Sequence, residues 1–136
     1  MQLSDRLVER LARAGVTAAY LFGSRATGTH TAASDADVAV LMAHGGRMLT
    51  LAERSGLANA FADALEAPDA DLVVLNEAPL ELRGRVVREG RLLYRGDEAH
   101  RVRFEVDTLS RWLDVEPTVR EQDRAYLARV AREGLG

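Results

Sequence analysis

The chain contains no cysteine and no lysine. The first absence excludes disulfides and cysteine-based zinc sites. The second makes all 18 basic side chains arginine, a bias whose plainest source is a GC-rich genome. Aromatic residues are 5% of the chain and prolines number three. No apolar run approaches the roughly 20 residues that span a bilayer, so no membrane association is expected. Met1 to Arg6 lacks the basic-then-apolar pattern of a secretory signal, and the cytoplasm is the default location. The formal charge of −3 gives no global basic field to draw in nucleic acid, and direct nucleic-acid binding is not expected. The 136 residues, 47% hydrophobic and 29% charged, suit one globular domain with a real core. There is no internal repeat and no low-complexity tract.

The informative stretch is Gly23 to Met42. An apolar run, Ala18-Ala19-Tyr20-Leu21-Phe22, ends in Gly23-Ser24. Ten residues later come Asp35-Ala36-Asp37, which run straight into Val38 to Met42. Alternate residues of a strand share a face and each residue rises about 3.3 Å, so Asp35 and Asp37 project together. Such a pair converges on cations spaced about 3.5–4 Å, the two-metal geometry of phosphoryl and nucleotidyl transfer. The apolar residues behind them place the strand in the interior, on both faces. Acids at the mouth of a buried strand are costly unless a cation or hydrogen bonds offset them. Taken alone, Asp-x-Asp also suits a surface turn or a cap. A calcium loop of the helix-loop-helix kind needs further oxygen ligands and a downstream glycine, where this chain has Val38 and Ala39. Gly23 permits close backbone approach, Ser24 offers a hydroxyl and an N–H, and Arg25 to Gly28 can form one helical turn with free amides for phosphate. Arg25 could add a charge-assisted bond. An ordinary strand-to-helix turn would look the same. It is not a P-loop, which needs Gly-Lys-Ser/Thr.

The flanking chain reads as alternating helices and strands. Ser4 caps a helix with Leu7, Val8, Leu11 and Ala14 on one face, ended by Gly15. Thr17 to Phe22 is the first strand, Gly28 to Ser34 a polar loop expected to be mobile without ligand, and Asp35 to Met42 the second strand. His44-Gly45-Gly46 breaks the chain. His30 and His44 are the histidines near the motif, and a loop histidine without an oriented partner reads as solvated. A helix is expected from Arg47 to Glu66, its buried face opened by Met48, Leu51 and Ala52 and continued by Leu57, Phe61 and Leu65. Asp69-Ala70-Asp71 leads into Leu72 to Leu75, a third strand. Neighbouring strands lie about 4.8 Å apart, so one aspartate here can complete a three-carboxylate site. Asp71 abuts the apolar run and is better placed; Asp69 competes, with capping or solvation as its ordinary role. Pro79 to Glu89 is a short helix and Arg91 to Tyr94 a short strand. Seven arginines lie between positions 83 and 103. They read as a solvated, ion-paired surface, with a partner or RNA patch as the alternative. A helix from Asp97 or Glu98 to Leu113 carries one stripe of Val102, Val106, Leu109 and Leu113 and an offset stripe of Phe104, Thr108 and Trp112. One packs on the domain; the other is further core or a partner face. Pro117 is expected to open a last helix, with Val119, Tyr126, Leu127 and Val130 inward.

Gly23-Ser24, ten residues, then Asp35-x-Asp37 resembles the signature of the polymerase-beta-like nucleotidyltransferases. The short chain is most similar to the minimal nucleotidyltransferases of the MntA type, antitoxins paired with HEPN-domain toxins. Asp71 to Pro79 resembles that family's third acidic strand and Arg88 to Tyr94 its following hairpin segment. The resemblance implies an α/β (α+β) fold, a small mixed sheet flanked by helices, with a catalytic core over residues 1–95 and a helical extension over 97–136. It implies Asp35 and Asp37 holding two Mg²⁺ ions with Asp71 on one of them, and Gly23, Ser24 and Arg25 on the phosphates of ATP. The acceptor it implies is a tyrosine of a HEPN-domain ribonuclease toxin, silenced by AMP, in a hetero-oligomer. Two other readings stay open. One is a small-molecule nucleotidyltransferase, although those usually add a helical domain. The other is an antitoxin that neutralises its partner by contact alone.

Overall fold

The computed structural model describes residues 2–43, 45 and 48–133, with the side chains of the last helix described as far as Val115. Helix α1 (Asp5–Ala14) leads into β1 (Val16–Phe22), the single turn α2 (Ser24–Thr27) and β2 (Ala36–Met42). Then follow α3 (Leu51–Ala64), β3 (Ala70–Val74), a 3-10 turn (Leu75–Glu77), α4 (Leu80–Glu89), β4 (Arg91–Arg95) and α5 (Glu98–Glu133). The four strands form one mixed sheet in the order β3-β2-β1-β4. β1 pairs antiparallel with both β2 and β4, whereas β2 and β3 run parallel. This is the α/β arrangement expected from the sequence, a small mixed sheet flanked by helices. Among the described residues no helix is long and apolar enough to cross a membrane.

Both faces of the central strands are covered, which is why β1 and β2 read as continuous apolar runs. On one face Leu21, Val38 and Val40 meet Leu11 of α1 and Leu57 and Phe61 of α3. On the other, Tyr20, Phe22, Ala39 and Leu41 meet Val86 of α4, with Leu82 and Phe104 packed alongside. Asp37 continues the alternation of Ala39 and Leu41, so its side chain belongs to the α4–α5 face. Asn76 clamps the far end of β2: its amide oxygen accepts from Met42 N at 2.8 Å and its nitrogen donates to Met42 O at 3.0 Å.

Three expectations are corrected. Helix α3 begins at Leu51, not Arg47, because Thr50 and Glu53 form a capping box. Thr50 Oγ1 accepts from Glu53 N at 3.1 Å and Glu53 Oε1 from Thr50 N at 3.0 Å, satisfying two end amides at once. Met48 and Leu51, expected to open the buried face, are exposed (Leu51 at 82%), as is Val8 on α1. The expected break before Pro117 is absent, and α5 runs as one helix to Glu133. Proline's fixed φ is itself helical, so one lost hydrogen bond need not end a helix that continues on both sides. His44, Gly46 and Arg47, and the inward face expected of Val119, Tyr126, Leu127 and Val130, lie outside what is described.

Helix α5 docks through its offset stripe. Thr108 is fully buried, and Phe104 and Trp112 are half-buried. Trp112 lies where Gly84 of α4 has no side chain: a Cβ there would stand 2.8 Å from Trp112 Cε3. The indole also carries Arg88, whose guanidinium carbon is 4.4 Å from the ring centroid, a cation–π contact. Tyr20 of β1 donates to Glu105 Oε2 at 3.1 Å; burial, then Glu105, push its hydroxyl pKa well up. The cleaner stripe faces outward, with Val102, Val106 and Leu113 exposed.

Candidate active site

The site forms where β1 ends beside the starts of β2 and β3. Phe22, the last residue of β1, is registered against Asp37. Gly23 then turns the chain at φ 74°, ψ −154°, a region open essentially to glycine alone. A Cβ at Gly23 would stand 2.4 Å from Asp37 Oδ2. The turn and the acid are therefore in direct contact, and only glycine leaves room for the carboxylate. Helix α2 starts at once. Its Ala26 and Thr27 amides donate to Gly23 O at 3.1 and 3.3 Å, so the earlier amides, of Ser24 and Arg25, precede its first hydrogen bond. The Ser24 hydroxyl has no hydrogen-bond partner among the described residues.

The third acid comes from β3. In the parallel β2–β3 pair Asp37 is registered with Asp71, and Ala36 with Ala70. Register partners on neighbouring strands share a face, so Asp71 stands beside Asp37. Asp69 is spent otherwise: its Oδ1 accepts from Ala70 N at 2.8 Å, and its carbonyl takes Ala36 N at 2.9 Å. Asp35 ends the loop before β2 and is exposed, as is Asp71, whereas Asp37 is half-buried.

Burial pushes the Asp37 carboxyl above the usual carboxylate range, and the charge of Asp71 adds to it. Arg85 opposes the shift and Asp35 adds a smaller push upward. The acids thus repel one another, and positive charge would relieve them. Among the described residues no three histidine, cysteine or acidic side chains are already closed into a metal cage. Hard oxygen donors in mutual repulsion, with a glycine cradle beside Asp37, are the donor set that a divalent cation such as Mg²⁺ takes.

Arg25 is placed differently from Ser24. It is 9% exposed, and its guanidinium reaches two backbone carbonyls. Nε and Nη2 donate to Ser34 O at 3.1 and 2.9 Å, and Nη1 to Leu65 O at 3.2 Å. The loop expected to be mobile is thereby held one residue before Asp35. Within the loop, Ser34 Oγ accepts from Thr31 N at 3.0 Å. His30 lies on the opposite face, lining a cavity of about 200 Å³ with Arg25 and Arg91. Arg85 is the residue that sequence reasoning missed. Nothing in its spacing separates it from its six arginine neighbours, and its approach to Asp37 depends on how α4 packs on the sheet.

Residues 6–99 match the family described as polymerase beta, nucleotidyltransferase. Among solved structures, a toxin–antitoxin complex with AMP-PNP contains a chain that is 30% identical at a TM-score of 0.63, covering 90% of this chain and 97% of that one. A tri-AMPylated Shewanella oneidensis HEPN toxin in complex with MNT antitoxin matches at 28% identity and TM-score 0.60, covering 90% and 94%. The MntA–HepT toxin–antitoxin matches at 28% and 0.60, covering 90% and 95%. No curated protein matches significantly. With the family match spanning more than half of its length and the motif acids gathered beside the Gly-Ser turn, the chain belongs to the polymerase beta nucleotidyltransferase family.

Proposed function

We propose that this nucleotidyltransferase is an antitoxin that transfers AMP from ATP to a tyrosine of a cognate HEPN-domain toxin and silences it. The observation that carries the reading is the registered pair Asp37 and Asp71 with Gly23 packed against Asp37 Oδ2. The similarity to chains of toxin–antitoxin complexes, one with AMP-PNP and one with an AMPylated toxin, supports it further.

Asp35, Asp37 and Asp71 would hold two Mg²⁺ ions, which when bound neutralise phosphate charge and acidify the attacking hydroxyl. The main chain at Gly23 lets the triphosphate lie close to the sheet, and the Ser24 hydroxyl and amide bond its outer oxygens. Asp71 accepts the proton of the tyrosine hydroxyl as its oxygen bonds to the α-phosphorus and the bond to pyrophosphate breaks. Arg85 adds positive charge on the α4 side. Arg25, the third residue expected on the phosphates, acts here through the loop that it pins, keeping Asp35 in register with its partners. Catalysis is positioning with electrostatic stabilisation.

The test is intact-mass measurement of the HEPN-domain protein encoded beside this chain, after incubation with the chain, ATP and Mg²⁺. The expected result is a gain of one or more AMP units, absent with the Asp35→Asn, Asp37→Asn double variant. A stable complex with no gain would replace the reading with neutralisation by contact. Neither gain nor complex would return the small-molecule enzyme.

A further inference from the structure

The seven arginines between positions 83 and 103 do not form one ion-paired surface. Arg85 pairs with Glu89, Arg95 with Glu98, and Arg101 with Glu98 and Glu105. Arg88 lies on Trp112. Arg83, Arg91 and Arg103 have no acidic partner among the described residues. Two of these, Arg83 on α4 and Arg103 on α5, line the same cavity of about 590 Å³, walled by Leu41 and Phe104. The Nε of Arg83 is buried with no hydrogen-bond partner. An unpartnered buried donor is a group that a ligand, an ion or a water can complete.

His100 lines the same cavity, and its ring is anchored at one edge. Thr17 Oγ1 lies within hydrogen-bond reach of Leu41 O at 3.1 Å. His100 Nδ1 lies 2.8 Å from the same hydroxyl, so this contact fixes the ring with its Nδ1 edge toward Thr17. Nε2 is left without a partner among the described residues. The single carboxylate in the lining, Asp107, is held by Arg111, whose Nε lies 3.1 Å from Oδ2. The balance is two unpaired guanidinium groups against one neutralised acid. Leu41 lies four residues beyond Asp37 on the same face of β2, about 13 Å away at 3.3 Å per residue. The cavity is thus separate from the acids of the active site.

We infer that this α4–α5 cavity binds the phosphate group of a small molecule, held by Arg83 and Arg103 with His100 beside them. Guanidinium forks match phosphate oxygens pairwise. The volume falls in the range of pockets for nucleotide-sized ligands, and Phe104 and Leu41 offer an apolar wall for the body of a phosphate ester.

The experiment follows the imidazole NMR signals of His100, assigned with His100→Gln, in the intact protein. EDTA is present throughout so that divalent cations are absent from the acidic site. Inorganic phosphate and ADP are the probes. The expected result is a saturable movement of the His100 signals, with the midpoint raised at least fivefold in Arg103→Gln and unchanged in Arg95→Gln. Arg103 is exposed, so its variant is expected to fold; Arg83→Gln provides a second reading. A lower midpoint for ADP identifies an ester as the ligand, and equal midpoints identify the free anion; either supports the site. His100 signals that stay still, drift without saturating, or titrate with an unchanged midpoint in Arg103→Gln would overturn it.

Discussion

β2 carries opposite charge environments at its two ends. At its start Asp37 stands beside Asp71, with Asp35 one step back, and the three acids push against one another. Four residues on, along the same face, Leu41 lies under Arg83 and Arg103, and Asn76 grips Met42 with two hydrogen bonds. The core between the ends is uniformly apolar and tightly buried. The far end is locked by neutral hydrogen bonds within the chain. The near end holds charge that nothing in the chain balances, apart from Arg85. Unrelieved repulsion in a folded protein is tolerated where a ligand relieves it, and that contrast supports the near end as the proposed place of chemistry.

Four substitutions would break or sharpen the contrast. The largest effect is expected of Asp37→Asn. AMP transfer should fall on the order of a thousandfold, since a central charged group of an electrostatic site is lost. The same variant should melt no lower, and preferably higher, without metal. A carboxyl whose folded pKa is raised favours its proton in the folded state, so at neutral pH its ionisation opposes folding and the amide removes that opposition. Activity assays and melting curves in EDTA check the two halves together. Next comes Gly23→Ala, which forces a Cβ toward Asp37 Oδ2 at a backbone angle unsuited to alanine. Transfer should drop about a hundredfold and stability by roughly 1–3 kcal/mol, read by kinetics and by urea unfolding.

Arg25→Lys should cost about tenfold in transfer, in the range of residues that orient metal ligands. A lysine keeps the charge but cannot fork to Ser34 O and Leu65 O together. Faster amide exchange at residues 31–34 would show that the loss runs through the loop. The smallest effect on activity is expected of Asn76→Ala at the far end. It should lower stability by about 1–3 kcal/mol through the orphaned Met42 groups, with the transfer rate of the folded protein unchanged.

Much of this was legible in the sequence because it rests on short-range patterns. Continuous apolar runs gave β1 and β2, and Asp35-x-Asp37 marked the start of β2, although the strand begins only at Ala36 and Asp35 ends the loop before it. The apolar run after Asp71 favoured it in the sequence with Asp69 still competing; the bond of Asp69 Oδ1 to its neighbour's amide appears only in the structure. The start of α3 was also readable, since Thr50-x-x-Glu53 is a capping box, but the apolar Met48 and Leu51 drew the expected boundary outward. What was not legible depends on contacts distant in sequence. Periodicity showed that α5 has two stripes but not which one packs. That is decided by Gly84, which makes room on α4 for Trp112. Arg25 beside Ser24 looked like a phosphate ligand; its carbonyl partners at Ser34 and Leu65 appear only when the loop and the end of α3 are brought together.

The most direct measurement is the rate of AMP transfer to the HEPN-domain partner, followed by intact mass, for Asp71→Asn and Asp69→Asn side by side. A three-acid site at the near end of β2 predicts that Asp71→Asn abolishes the mass gain and that Asp69→Asn transfers close to the unsubstituted rate. Full transfer by a folded Asp71→Asn variant would contradict the site.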